Sequence, residues 1–278
     1  MHVLVYNSHI YYVSVGLINE GKFLNIEEYN PVKMNQSQFL ILDIVRHGQT
    51  QGNAKQIVEG IIDTPLNEKG RQQAKYAGEW LKNETYDFVF TSDLERAKET
   101  ASIIMKENLH INKNDKNFIE LCSLRERNFG VHEGTPFAEY KATAIKEGVD
   151  WLSFTPKDAE TVNDVKIRSA ELMKTVCKIT TSSMDNKKLK IMVATHGFVV
   201  AQLISYIYEE TKCEGVPADV MENAWTSTDR SKLLVVMPNT AITRFEIEVD
   251  SNTMKLKSAK CNLFKSIEHL PQYDPAFK

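Results

Sequence analysis

From residue 39 onward, short β-branched and aromatic runs alternate with longer stretches of helical periodicity, and this alternation constrains the fold more than any other property of the chain. Residues 39–45 (FLILDIV), 87–91 (DFVFT) and 190–194 (KIMVA) read as buried strands, and 117–121 as a weaker one. Between them, Asn67 is placed to cap a helix running to about residue 83, with Ala74, Ala77 and Leu81 on one face. Ser92 or Asp93 is placed to cap a second helix, whose apolar stripe is Leu94, Ala97, Ala101 and Ile104. Further helices are expected at 137–148, 162–182 and 198–208, and a polar loop at 209–231. Residues 233–237, 241–249 and 254–261 read as strands, the last two paired antiparallel. The class is α/β.

At 278 residues, one elaborated domain is expected, with no internal repeat and no dividing linker. Residues 1–38 read differently. They form an extension expected to be either poorly ordered or a peripheral hairpin, with strands near 11–15 and 22–26, and are given no catalytic part. No basic residue precedes the apolar stretch 2–17, so it is a poor signal peptide. Residues 39–278 are assigned to the catalytic domain.

With 34 Lys+Arg against 37 Asp+Glu, the net charge of −3 argues against nucleic-acid binding, which needs a basic surface. An anionic ligand must then be held by a local cluster of cations. No run of 18 apolar residues exists, so no membrane partner is expected. Four cysteines without a CxxC pair, and seven histidines without an HExxH pair, give no metal site and fit reduced thiols in a cytoplasmic protein.

Four strand ends carry chemistry. Arg46-His47-Gly48 follows the first strand, Arg96 lies in the first helical turn after the second, Glu126 follows the third, and Thr195-His196-Gly197 follows 190–194. In open α/β sheets ligands bind beyond the carboxyl ends of strands, where helix amino termini expose backbone N–H groups. His47, His196, Arg46, Arg96 and Glu126 are therefore expected to converge on one crevice. Two guanidiniums and two imidazoles suit a phosphoryl group. A neutral imidazole is a competent nucleophile toward phosphorus, the arginines stabilise charge on the phosphoryl oxygens in flight, and Glu126 is the candidate proton donor. No metal or other cofactor is required.

The pattern resembles the histidine phosphatase superfamily, which includes phosphoglycerate mutases and fructose-2,6-bisphosphatases. The matching runs are residues 45–50 (VRHGQT) with Asn53, 60–70 (GIIDTPLNEKG), 91–97 (TSDLERA), 124–130 (LRERNFG) and 195–197 (THG), in the family's order over about residues 39–250. The resemblance implies a phosphoglycerate mutase-like three-layer fold: a mostly parallel mixed sheet with one antiparallel strand and helices on both faces. It implies that His47 becomes phosphohistidine, that Arg46, Arg96 and His196 bind the transferring group, that Glu126 donates the proton, and that Gly48, Thr50, Asn53, Gly60 and Gly197 contact substrate. Softer cues, among them residues 154–156 (FTP) and 237–241 (MPNTA), are most similar to the TIGAR-type fructose-2,6-bisphosphatases.

There are departures from the family pattern. Lys157-Asp158-Ala159 stands where the family is glycine-rich, and Asp158 is expected to bring a negative charge near the substrate. Between Gly134 and Trp151 the only cations are Lys141 and Lys146, where phosphoglycerate mutases carry an Arg-Arg pair, which favours hydrolysis over internal transfer. The leading expectation is a phosphatase for a small phosphorylated metabolite, a sugar phosphate or bisphosphate with fructose-2,6-bisphosphate as best guess, regulating glycolysis, with a monomer favoured. A phosphoglycerate mutase or bisphosphoglycerate phosphatase, and a non-catalytic binding protein on the same fold, remain as alternatives.

Overall fold

The computed structural model describes residues 2–6, 9–18, 21–28, 37–108, 117–183, 187–222 and 237–271. The chain divides into two compact units, residues 1–36 and 37–278. The first holds three strands, β1 (His2–Tyr6), β2 (His9–Ile18) and β3 (Gly21–Glu28), joined as an antiparallel sheet in the order β1-β2-β3. Its Val, Ile and Tyr content is that of a pleated ladder. The strands expected near 11–15 and 22–26 lie within β2 and β3, and β1 is a third strand beside them.

The second unit is built on six strands: β4 (Ser37–Arg46), β5 (Phe88–Ser92), β6 (Phe118–Leu121), β7 (Leu189–Thr195), β8 (Ile242–Asp250) and β9 (Lys255–Ser266). Their order is β6-β5-β7-β4-β8-β9. The first four are mutually parallel, β8 pairs antiparallel with β4, and β9 antiparallel with β8, so β8 alone opposes the common direction. Helices are α1 (Gln51–Ala54), α2 (Glu68–Trp80), α3 (Glu95–Glu107), α4 (Phe137–Lys146), α5 (Val162–Thr181), α6 (Gly197–Thr211) and the short α7 (Ala218–Glu222).

Strand alternation assigns the faces. Leu40, Leu42 and Ile44 of β4 point to one side, with Leu172 and Val176 of α5 and Val200, Leu203 and Ile204 of α6. Val45 points to the other, with Met192 and Ala194 of β7, Leu81 beyond α2, and Ala101 and Ile104 of α3. Both faces are thus covered by helices, which explains why residues 39–45 are nearly continuous in apolar character. The exception is Asp43, fully buried, whose carboxylate is met by Arg244 of β8 at 2.6 and 2.7 Å and by the Tyr86 hydroxyl at 2.5 Å.

Asn67 caps α2 as expected, its side chain accepting from Gly70 N at 2.8 Å. The cap of α3 differs. Leu94 occupies the N-cap without a side-chain bond, because the Ser92 hydroxyl accepts from Leu94 N and Asp93 is engaged by Arg125 at 2.8 and 2.7 Å. Within 209–231, α7 replaces part of the expected loop; residues 223–236, which hold most of the strand expected at 233–237, lie outside the described residues. Met237 itself precedes β8 and is not in a strand.

Candidate active site

Strand register alone brings the two histidines together. Arg46 of β4 lies opposite Thr195 of β7, so His47 and His196, the next residue on each strand, leave the sheet side by side. The amide of His47 donates to the Thr195 carbonyl at 2.9 Å, and the two imidazole centroids are 5.1 Å apart. Nδ1 of His47 sits 2.7 Å from the carbonyl oxygen of Gly48, a contact that places the ring proton on Nδ1 and leaves the lone pair on Nε2. Burial, and then the Arg96 and Arg46 guanidiniums, hold His47 well below the ordinary imidazole pKa, so the ring stays neutral. The same burial, with Arg96 and His47 beside it, depresses His196.

Arg96 enters from the first turn of α3 and is almost completely buried. Its Nη1 and Nη2 donate to the carbonyls of Ile62 (2.8 Å) and Gly60 (2.6 Å), which fix the guanidinium. Gly60 sits at φ +51°, and a Cβ there would lie 1.9 Å from Glu133 Oε1, so glycine is needed for this turn to reach Arg96. Arg46 donates from Nη1 to the Met237 carbonyl. The Nε atoms of Arg46 and Arg96 and both ring nitrogens of His196 are buried and find no hydrogen-bond partner. Buried polar atoms without partners cost about 1–3 kcal/mol each, and the three N–H donors among these four, with His196 neutral, mark a site shaped for an anion.

Glu126 reaches the same point from the turn Cys122–Leu124 that follows β6. Its carboxyl accepts from Arg127 N at 2.8 Å and from Phe198 N, in the first turn of α6, at 3.2 Å. Burial raises its pKa, and the Arg127 amide, Arg96 and Arg46 only partly offset that rise. The protonated form needed of an acid is thereby favoured.

These groups line a cavity of about 230 Å³ together with Asn53, Glu59, Gly60 and Gly197. The rest of the lining is apolar: Ile57, Val58, Phe129, Phe137, Trp151, Phe198 and Met237. Among the described residues, no three His, Cys, Asp or Glu side chains gather as metal ligands. Of the ten sequence-predicted site residues, Arg46, His47, Asn53, Gly60, Arg96, Glu126 and Gly197 line the cavity, and His196 is fully buried against His47. Gly48 and Thr50 do not line it. A Cβ on Gly48 would lie 2.5 Å from the Gly70 carbonyl, so this glycine serves the close approach of the loop to α2. Thr50 is fully buried and donates to Glu59 Oε2 at 2.8 Å. Asp158 also differs from expectation: it is exposed and absent from the lining, and its φ of +63° shows why a glycine suits that turn.

Three residues escaped the sequence reading. Glu59 accepts from Thr50, from Asn53 Nδ2 (2.8 Å) and from the Thr64 hydroxyl (2.7 Å), and its charge acts on both Arg46 and Arg96. The signal was a lone acid inside residues 57–62 (IVEGII), which must find donors if buried. Arg168 of α5 donates to the carbonyls of Ser123 (2.7 Å), Arg125 (2.6 Å) and Glu126 (3.2 Å), holding the segment that presents the acid. Fully buried Arg127 donates to the carbonyls of Glu160 (2.9 Å), Leu152 (3.2 Å) and Phe154 (2.7 Å), and lies over the rings of Phe129 and Phe198. Arg168 could have been found from its spacing of three and four residues from Val165 and Leu172 on the buried face of α5.

Residues 42–228 match the family model described as Histidine phosphatase superfamily (branch 1). The chain belongs to this superfamily. It is 30% identical over 269 residues to "Fructose-2,6-bisphosphatase TIGAR" of Xenopus tropicalis, covering 82% of this chain and 94% of that one. In fold it is similar to a mycobacterial glucosyl-3-phosphoglycerate phosphatase (TM-score 0.63, 22% identity, 83% of this chain and 99% of that one). It is likewise similar to a phosphoglycerate mutase from Bacillus anthracis (TM-score 0.61, 21% identity, 84% and 96%). As a histidine phosphatase, this protein is a phosphoric monoester hydrolase with a mixed-sheet α/β fold.

Proposed function

We propose that this histidine phosphatase hydrolyses the phosphomonoester of a small sugar phosphate or bisphosphate, with fructose-2,6-bisphosphate as the first substrate to test. The observation that carries the reading is the set of unpartnered buried nitrogens on Arg46, Arg96 and His196 around a His47 whose free lone pair is on Nε2. The choice of sugar follows the TIGAR relatives, which are fructose-2,6-bisphosphatases.

In the first step His47 Nε2 attacks phosphorus in line with the ester bond. The P–O bond breaks, and the Glu126 carboxyl gives its proton to the departing alcohol oxygen. Arg46, Arg96 and the His196 N–H stabilise the charge spread over the three equatorial oxygens. In the second step the Glu126 carboxylate takes a proton from water as its oxygen attacks phosphorus. The P–N bond breaks, inorganic phosphate leaves, and His47 and protonated Glu126 are restored. Asn53, Gly60 and the Gly197 amide contribute contacts to the phosphoryl group; Gly48 and Thr50 support the loop behind it.

Arg46 and Arg96 are the only cationic side chains in the described lining, which fits hydrolysis better than retention of phosphate for internal transfer. We assign the catalysis to residues 37–278 and none of it to residues 1–36. The four free cysteines fit a reducing, cytoplasmic setting, where the enzyme would act as a monomer on glycolytic metabolites. The test is a phosphate-release screen of wild type and His47→Ala against sugar bisphosphates, phosphoglycerates, nucleotides and phosphopeptides. Turnover of the sugar esters by wild type alone supports the reading. Mutase activity primed by 2,3-bisphosphoglycerate that outruns phosphate release overturns it.

A further inference from the structure

The catalytic groups occupy only half of the cavity wall, and the other half has a chemistry of its own. Phe137, at the start of α4, and Trp151 meet edge to face, with ring centroids 5.2 Å apart and planes at 88°, and both line the cavity. Phe129 and Phe198 form a second edge-to-face pair at 5.6 Å and also line it. Nearly perpendicular pairs of this kind are a favourable arrangement for aromatic rings.

These rings are held rather than merely collected. The Arg127 guanidinium lies 5.3 Å from the centroids of both Phe129 and Phe198, while its donors are spent on the carbonyls of Leu152, Phe154 and Glu160. Lys141, one turn along α4, lies 4.9 Å from the Phe137 centroid and 5.3 Å from that of Trp151. The segment carrying Trp151 is tied to α4 as well, since the Tyr140 hydroxyl donates to the Trp151 carbonyl at 2.6 Å. A pre-positioned aromatic wall loses little freedom on binding, which is the condition for apolar contacts to yield selectivity.

We infer that this wall recognises the alcohol half of the substrate, and that the preferred esters are those whose alcohol carries a ring with an unbroken apolar face, packed against Trp151 and Phe137 while the phosphate sits between Arg46 and Arg96. The inference rests on the phosphatase reading and goes beyond it, because it makes the ring face, and not further polar contacts, the feature that separates good substrates from poor ones.

Benzyl phosphate and ethyl phosphate, esters of primary alcohols of similar acidity, form the decisive pair. Wild type is expected to favour benzyl phosphate by at least about tenfold in kcat/KM, the ratio that a difference of about 1.4 kcal/mol produces. In Trp151→Ala the ratio should fall toward one. Trp151→Leu, which keeps apolar volume but no ring, should also lower it, and serves should the alanine variant fold poorly.

Benzylphosphonate and methylphosphonate, whose P–C bonds resist hydrolysis, give the same comparison by calorimetry whether or not turnover occurs. A ratio near one for both ester and phosphonate pairs in wild type overturns the inference, as does a preference that survives both Trp151 substitutions. Tight, ring-selective phosphonate binding without release of phosphate from any ester would instead uphold the wall and overturn the phosphatase reading.

Discussion

His47 and His196 stand with ring centroids 5.1 Å apart and planes inclined at 57°, side by side because their strands pair with Arg46 opposite Thr195. Neither ring can be charged readily beside two guanidiniums in a buried site, and both pKa values are depressed accordingly. This has a direct consequence for pH. As the proposed nucleophile, His47 can attack only when neutral, and its lowered pKa keeps it neutral well below the ordinary imidazole value of about 6.5. Glu126, the proposed acid, can donate only when protonated, and its raised pKa extends that form toward neutrality. The bell in kcat/KM is therefore expected to have its acid limb below the ordinary imidazole value and its alkaline limb above the ordinary carboxylate value. Phosphate release measured over roughly pH 4 to 9 checks this, and an acid limb above the ordinary imidazole value contradicts the assignment. Glu126→Gln should flatten the alkaline limb and slow poor leaving groups most.

Arg168 does not itself line the cavity, yet it grips three backbone carbonyls, those of Ser123, Arg125 and Glu126. A displacement of about 1 Å in a catalytic group can lower the rate on the order of a hundredfold. Arg168→Met is expected to reduce kcat roughly 10- to 100-fold with little change in KM, and to steepen the dependence on leaving-group acidity as Glu126→Gln does. Arg168→Lys should not restore it, because one ammonium cannot span those carbonyls and the Glu160 carboxylate. Rates for a series of aryl and alkyl phosphates decide the matter.

Glu59 sets a negative charge beside Arg46 and Arg96, the two arginines proposed to receive phosphate. Replacing it with Gln leaves an oxygen for Thr50 and Asn53 and turns an amide toward the Thr64 hydroxyl, which can accept from it. Glu59→Gln is expected to bind inorganic phosphate and vanadate several-fold more tightly, since one repulsive charge near the anion is gone. Product-inhibition constants give the answer, and unchanged inhibition would remove Glu59 from any electrostatic part in release.

Much of the architecture follows from short-range pattern. The apolar runs of β4, β5 and β7 need two covered faces, and Asn67 sits before a helix with its acceptor ready for Gly70. The convergence of His47, Arg96, Glu126 and His196 was legible because each follows a strand end. What pattern does not carry is long-range pairing. Asp93 is drawn from a capping role by Arg125, 32 residues away, and Arg168 reaches residues more than 40 positions distant. Glu59, Arg127 and Arg168 look like ordinary surface charges until the fold supplies their partners. The three-stranded sheet of residues 2–28 was only half visible, since β1 offers five residues and no distinct turn signature.

The buried Asp43–Arg244 pair tests the sheet itself. With Asp43 fully buried, removing its carboxylate strands a guanidinium that has only Glu84 left, at 2.9 Å. Breaking such a pair costs about 3–5 kcal/mol, whereas replacing both partners with apolar residues is often neutral. Asp43→Ala is expected to lose stability of that order in urea denaturation, and Asp43→Leu with Arg244→Met to recover most of it.

The guanidinium beside the nucleophile is held by Met237, and the amide of Arg46 by the carbonyl of Ala241, both nearly two hundred positions later in the chain. On a ribosome adding 5–20 residues per second, roughly 10–40 s separate the emergence of these partners. Throughout that interval the nascent polypeptide carries its reactive imidazole without the brace that orients the neighbouring cation. The site is therefore expected to be complete only once β8 is in place, and the onset of phosphate release would then report completion of the sheet.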